Sequence, residues 1–228
     1  MKNIKNKIKA ILFDMDGTII HTEHVWKEII LQFLNCQGIK NLSDQQREIL
    51  KNTSGAGLLK TLTVLKEEFN LPYTVDELLH KKIEVSKEYF SKNHIEFIDG
   101  FASFHNKLKK ANIASSIATN ANIKVLDCLN KKINLESFFG KNMYTMEHVG
   151  NKAKPDPAVF LHAAKQLNVK PEECVIFEDS LVGFKAAKAA EIKCIAIQNK
   201  FNQDILHHAD GIISNYHEAE KELEKILS

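Results

Sequence analysis

Apolar residues follow two rhythms along this chain. Ala10-Ile11-Leu12-Phe13 is apolar without interruption and stops abruptly at Asp14. Short apolar runs of this kind, bounded by polar or turn residues, read as strands buried on both faces. The rhythm returns in the second half of the chain: 113–118 ending at Thr119-Asn120, 143–145, 174–177 ending at Glu178-Asp179-Ser180, 192–197 and 211–213. Helical spacing fills the intervals and predicts helices over 101–111, 123–130, 156–167, 181–190 and about 218–227. Pro157 falls in the first turn of one of them, where a missing N–H is harmless. Strands that are apolar throughout and separated by helices predict a parallel sheet covered on both sides.

The stretch from 21 to 97 has only the helical rhythm. Val25, Trp26, Ile29, Ile30, Phe33 and Leu34 make one apolar face over 23–37, and Gly38 closes it. Ser43 caps a short helix at 43–51; Leu58, Leu59, Leu62, Leu65 and Phe69 mark a third, with Pro72 just beyond. Thr74 and Glu77 form a capping-box pair that opens a fourth, carrying Leu78, Leu79, Ile83 and Tyr89. The expected class is α/β: a Rossmann-like parallel-sheet core made of 1–20 and 98–228, with an all-helical domain, 21–97, inserted between its first two strands. The connections at 19–22 and 98–100 are the expected hinges.

Composition narrows the function. With 228 residues, 44% hydrophobic and 26% charged, the chain can build a substantial core. A net charge of +2 makes no case for a nucleic-acid or membrane surface. No run approaches the about 18 apolar residues of a membrane span. Lys2, Lys5, Lys7 and Lys9 precede only a short apolar run, too brief for a signal-peptide core. Cys36, Cys128, Cys174 and Cys194 are scattered without metal spacing, so a reducing cytoplasm is the expected setting. A monomer is expected, with a dimer allowed. Arg47 is the sole arginine, which leaves anion recognition to lysine, hydroxyls and backbone amides.

The chemistry gathers at strand ends, where open parallel sheets bind ligands. Asp14 and Asp16 close the first strand, and Gly17 lets the chain turn away. Two such carboxylates repel unless a cation or a shared proton relieves them, so a metal-assisted reaction at an anionic substrate is the first hypothesis. Gly17 comes too early for a calcium loop, and glycosidase carboxylates stand apart across a sugar. Thr119, Asn120, Glu178 and Asp179 should share the same edge; Glu178, Asp179 and Ser180 could otherwise merely cap a helix. Asn120 is expected to cap the helix after it. Lys154 stands in a proline-stiffened Lys154-Pro155-Asp156-Pro157 loop. His21, His24 and Glu28 have a spacing that could hold a metal, although exposed helix positions explain them better, and Trp26 is expected in the helical core.

Asp14-Met15-Asp16-Gly17-Thr18, Thr119-Asn120, Lys154-Pro155-Asp156-Pro157 and Glu178-Asp179-Ser180, in this order over essentially the whole chain, resemble the haloacid dehalogenase superfamily. The likeness is to its magnesium-dependent phosphatases with an inserted helical cap of the C1 type, near the β-phosphoglucomutases and phosphoglycolate phosphatases. The resemblance implies that Asp14 attacks phosphorus to give an aspartyl phosphate, and that Asp16 protonates the leaving alcohol and then activates water. It implies Mg²⁺ held by Asp14, the Asp16 backbone carbonyl and Asp179, with Glu178 a further ligand or a brace. Gly17, Thr119, Asn120 and Lys154 would bind the phosphate of a small ester. Three departures stand out. His21 occupies a place that is often acidic in relatives, and Leu58 aligns where mutases carry an arginine for the second phosphate. Neither Lys27 nor Lys60 sits in the context of the cap lysine used by phosphonate-cleaving relatives. Hydrolysis is therefore favoured over a sugar phosphomutase, and a non-catalytic binding module is the distant alternative.

Overall fold

In the computed structural model the residues described are 1–22, 25–52 and 58–228. The expectations placed on Glu23, His24 and 53–57 lie outside them. A short helix, α1 (Lys2–Lys5), precedes β1 (Ala10–Phe13). Four helices follow: α2 (Val25–Cys36), α3 (Asp44–Asn52), α4 (Leu58–Glu68) and α5 (Val75–Lys92). The alternating half then runs α6 (Phe101–Lys110), β2 (Ala114–Thr119), α7 (Ile123–Ile133), α8 (Glu136–Phe139), β3 (Met143–Thr145), α9 (Ala158–Gln166), β4 (Cys174–Glu178), α10 (Leu181–Ala189), β5 (Lys193–Ile197), β6 (Gly211–Ile213) and α11 (Ala219–Ile226). The six strands form one sheet in the order β3-β2-β1-β4-β5-β6, and every pairing is parallel. Among the described residues no helix is long and apolar enough to cross a membrane.

Side-chain alternation along β1 separates two cores. Ile11 and Phe13 point with Val175 and Phe177 of β4 into a cluster completed by Phe101, Phe104, Val125 and Leu129 from α6 and α7. Ala10 and Leu12 point the other way, with Ile176, against Val159, Phe160 and Phe184 of α9 and α10. Phe13 is the hub of the first cluster. It stacks on Phe177 with ring centroids 5.4 Å apart and meets Phe101 edge-on at 5.7 Å.

The helical region has an apolar cluster of its own, built on Phe33, Leu34, Leu62, Leu65 and Leu78. It also joins the first sheet cluster through Val25, Ile29, Ile83 and Phe90. The Thr74–Glu77 capping box forms as the sequence suggests. On the sheet side, Cys128 Sγ of α7 donates to the Lys87 carbonyl at 3.7 Å and Lys132 Nζ to the Ser91 carbonyl at 2.9 Å. The two connections lie side by side: His21 N donates to Glu96 O at 3.0 Å and Ile98 N to Ile19 O at 2.9 Å.

Differences from the sequence expectation are local. Periodicity gives no sign of α1 or α8, because one helical turn completes no repeat. Helix α7 runs on to Ile133, and Asn134 ends it in the left-handed region at φ 54°. Helix α9 starts two residues late because Pro157 keeps Asp156 out of helical backbone geometry. Asn122, not Asn120, caps α7, its side chain accepting from Lys124 N; Asn120 is engaged elsewhere.

His105 of α6 is fully buried among Phe101, Phe138 and Phe139, with Nε2 2.8 Å from Ser115 Oγ. Burial, helped by Lys109, pushes its imidazole down to about 4. An unfolded histidine takes up a proton near 6.5, so stability from this residue is complete above that pH. It is lost as pH falls toward 4, because the unfolded chain gains a proton that the folded one refuses. The loss should reach about 3 kcal/mol at most. Urea unfolding measured from pH 7 to 4 should show a steeper decline for the native chain than for His105→Gln. Equal declines would mean that His105 accepts a proton in place.

Candidate active site

Sheet register brings the chemistry together. Phe13 pairs with Ile117 on one side and Phe177 on the other, so the next residues, Asp14, Ala118 and Glu178, stand level at the carboxyl edge. Asp14 N still donates to Phe177 O at 3.0 Å, which holds the aspartate in line with the sheet. By alternation its side chain shares the face of Leu12 and meets the loop before α9. There Lys154 Nζ donates to Asp14 Oδ1 at 2.5 Å and to Glu178 Oε1 at 2.8 Å, with all three residues buried. Asn120 fixes the lysine through its backbone: Lys154 N donates to Asn120 Oδ1 at 2.8 Å, and Asn120 Nδ2 to Lys154 O at 3.4 Å. Thr119 is buried at the same edge, its Oγ1 accepting from Ala121 N at 3.0 Å.

Glu178 is bonded through both carboxylate oxygens. Its Oε2 accepts from Asp179 N at 2.7 Å, Ser180 N at 2.7 Å and Ser180 Oγ at 2.9 Å, while Oε1 takes Lys154. Ser180 Oγ in turn accepts from Gly183 N and caps α10. Gly183 leaves the room this needs. A Cβ there would lie 1.8 Å from the Glu178 carboxyl carbon. Asp179 accepts from Asn199 Nδ2 at its Oδ2, 3.3 Å away, and from Asn202 Nδ2 at its carbonyl, 2.8 Å away.

One carboxylate oxygen from each of Asp14, Glu178 and Asp179 can be chosen so that all lie within 4.8 Å of one another. An all-oxygen, multiply acidic donor set suits a hard divalent cation. Electrostatics agree. Burial works against the Lys154 charge, but Asp14 and Glu178 together outweigh it and hold the ammonium above the ordinary lysine range. Burial pushes Asp14 up to about 8 against the pull of Lys154, and the Glu178 and Asp16 charges add to the rise. One ammonium does not neutralise this many carboxylates, and a bound divalent cation would.

Asp16 leaves the strand and faces the helical region. Gly17, at φ 71°, makes the turn, its N donating to Ile20 O at 2.9 Å. Tyr216, buried behind it, donates its hydroxyl to Thr18 O at 2.8 Å. Thr22 Oγ1 donates to Asp16 Oδ1 at 2.8 Å. Burial pushes Asp16 up to about 6, opposed by hydrogen bonds from Thr22 and Trp26 and by the charge of Lys82. Lys82, on α5, is buried with its Nζ 4.5 Å from the centre of the Trp26 ring. Burial lowers it to about 8, with Asp16 pulling the other way.

Sequence reasoning missed Lys82, Gly183, Asn199, Asn202 and Tyr216. For Lys82 a signal existed, a lysine on the apolar stripe of Leu78, Ile83, Tyr89 and Phe90. Trp26 is half-buried, as expected of a core residue, yet it also borders Asp16. Glu28 accepts from the Tyr89 hydroxyl at 2.6 Å, and His24 lies outside the described residues.

Known proteins resemble this chain in sequence and in fold. Residues 11–197 match the haloacid dehalogenase-like hydrolases. The chain is 29% identical over 197 residues to the phosphorylated carbohydrates phosphatase of Thermotoga maritima, covering 82% of this chain and 84% of that one. A haloacid dehalogenase hydrolase of family IA, variant 3, from Entamoeba histolytica superposes with a TM-score of 0.85 at 22% identity, covering 96% and 99% of the two chains. CbbY from Rhodobacter sphaeroides, crystallised with xylulose-(1,5)bisphosphate, superposes with a TM-score of 0.79 at 23% identity over 92% and 96%. With the match spanning the sheet from β1 to β5, this chain belongs to the haloacid dehalogenase-like hydrolase family.

Proposed function

We propose that this chain is a Mg²⁺-dependent phosphatase of small phosphomonoesters of the sugar-phosphate kind, working through an aspartyl phosphate on Asp14. The observation that carries the reading is the buried contact of Lys154 with both Asp14 and Glu178 at the sheet edge, beside Asp179. The phosphatase named for phosphorylated carbohydrates and the bisphosphate-bound CbbY support the substrate class.

In this reading Asp14, Asp179 and the Asp16 carbonyl hold the ion, and Glu178 braces them, since both its oxygens already carry hydrogen bonds. Bound Mg²⁺ would offset the charge of the phosphoryl oxygens and of Asp14 as the two approach. An Asp14 carboxylate oxygen attacks phosphorus as the bond to the ester oxygen breaks, and Asp16 gives that oxygen its proton. Asp16 then takes a proton from water, whose oxygen attacks phosphorus and releases phosphate from Asp14. A carboxyl group raised to about 6 suits both tasks near neutral pH. Lys154, Thr119 and the backbone of Gly17 and Asn120 hold the phosphoryl oxygens.

Residues 21–97 act as the cap over the core of 1–20 and 98–228, hinged at 19–22 and 98–100. Their separate apolar cluster and the paired connections support a unit that moves as one body. Lys82 and Trp26 then bring the cap's own chemistry to Asp16 on closure. Leu58 in the place of a second-phosphate arginine supports hydrolysis over mutase chemistry. All four cysteines are unbridged, in keeping with a reducing cytoplasm, where the chain would work as a monomer without nucleic acid or membrane partners.

Asp14→Asn should lower Mg²⁺-dependent hydrolysis of an aryl phosphate by on the order of 10⁶-fold, judged from the effect of removing a catalytic nucleophile elsewhere. Turnover above a trace would exclude Asp14 as nucleophile. Asp16→Asn should cost about 10²- to 10⁴-fold, and aspartyl phosphate should still be trapped on Asp14. A panel of sugar phosphates should yield inorganic phosphate; an isomeric sugar phosphate would identify a mutase instead. Gly183→Ala should push the Glu178 carboxyl off Lys154, lowering both the thermal midpoint and turnover. A native-like midpoint with full activity would show that Glu178 has room to move.

A further inference from the structure

The loop after β5 reads Gln198-Asn199-Lys200-Phe201-Asn202-Gln203, and nothing in its polarity or spacing points to the site. Two of its side chains, Asn199 and Asn202, nevertheless turn in toward Asp179. Asn202 is only 3% exposed, and both its amide hydrogens and its carboxamide oxygen are engaged. Its Nδ2 donates to the Asp179 carbonyl at 2.8 Å and to the Ile197 carbonyl at 2.9 Å, and its Oδ1 accepts from Asn199 N at 2.9 Å. Asn199 Nδ2 reaches the Asp179 carboxylate at 3.3 Å, and Asn199 Oδ1 accepts from Phe201 N at 2.8 Å. Gln203 Nε2 donates to Asn199 O at 2.6 Å and closes the loop.

We propose that Asn199 and Asn202 form an amide clamp that positions Asp179 to take a divalent cation. The proposal rests on the proposed reading in which Asp14, Asp179 and the Asp16 carbonyl hold the ion, and adds to it the residues that set the ion's affinity. The chemistry of the clamp is its main support. A lysine or arginine at the same distance would hold Asp179 equally well but would neutralise the charge the cation needs. A carboxamide N–H orients the carboxylate through Oδ2 and leaves its charge in place. Asn202 acts one bond further back, on the carbonyl of the same residue, and fixes the backbone that aims the side chain. Outer hydrogen bonds of this kind commonly account for about 10- to 100-fold in metal affinity. Both are positioning residues that touch neither substrate nor reacting atoms.

Mn²⁺ alone, titrated into the full chain without substrate and followed by the EPR signal of the free ion, tests this directly. Asn199→Ala and Asn202→Ala should each weaken binding by about 10- to 100-fold. Their circular dichroism should stay native, and kcat should recover at saturating metal. Phe201→Ala, an exposed change in the same loop, should bind as the native chain does. If Asn202→Ala loses its fold, Asn199→Ala still decides, because Asn199 is the less buried partner. Native binding of Mn²⁺ with unchanged affinity in Asn199→Ala overturns the clamp and leaves the metal reading standing. Absence of Mn²⁺ binding in the native chain overturns the metal reading and the clamp with it.

Discussion

A lysine ammonium buried between two carboxylates is the interaction on which the rest of this structure depends. Lys154, Asp14 and Glu178 meet where water scarcely reaches, the Lys154 side chain being 1% exposed. Breaking such a group by removing one partner costs roughly 3 to 5 kcal/mol, because a bare charge is left behind. The surroundings are accordingly built to keep all three. Asn120 holds the lysine's backbone on both sides, Phe177 holds Asp14 in the sheet, and Asp179 N with Ser180 saturates the second oxygen of Glu178. These contacts come from the carboxyl ends of β1, β2 and β4 and from the loop before α9, so those three strands must be paired before the site exists.

Division of labour between the two faces of the sheet follows from alternation. Phe13 and Phe177 face the aromatic cluster over α6 and α7, while Asp14 and Glu178, one residue later, face α9 and α10. The apolar side supplies burial, and the polar side is confined to the edge where the strands end. Tyr216 joins the two, stacking on Phe104 with centroids 5.5 Å apart while its hydroxyl holds Thr18 just past the aspartates. Gly183 is the mirror case: absence of a side chain is what lets α10 begin against Glu178.

The helical region completes the chemistry from above. Thr22, Trp26 and Lys82 surround Asp16 and oppose the rise that burial imposes on it. Asp14 and Asp16 thus sit two residues apart in different settings, one against Lys154 inside the sheet and one beneath the helices. Different environments are how two carboxylates take on different proton affinities, and so different roles.

By itself the sequence determined the α/β class, the four helices between the first strands, and the strand ends that carry Asp14, Thr119, Glu178 and Asp179. It did so because an apolar run cut off by a carboxylate is a local pattern, readable wherever it occurs. Lys154 was legible through its prolines and the family resemblance. Tertiary structure alone decided that Asn120 serves Lys154 while Asn122 caps α7, that Lys82 faces Asp16, that Gly183 makes room for Glu178, and that a loop of amides closes on Asp179. Apart from the local Asn122 cap, these residues act across 5 to 66 positions of chain, through contacts made only when strands and helices pack, and no local rhythm of polar and apolar residues encodes such a distance.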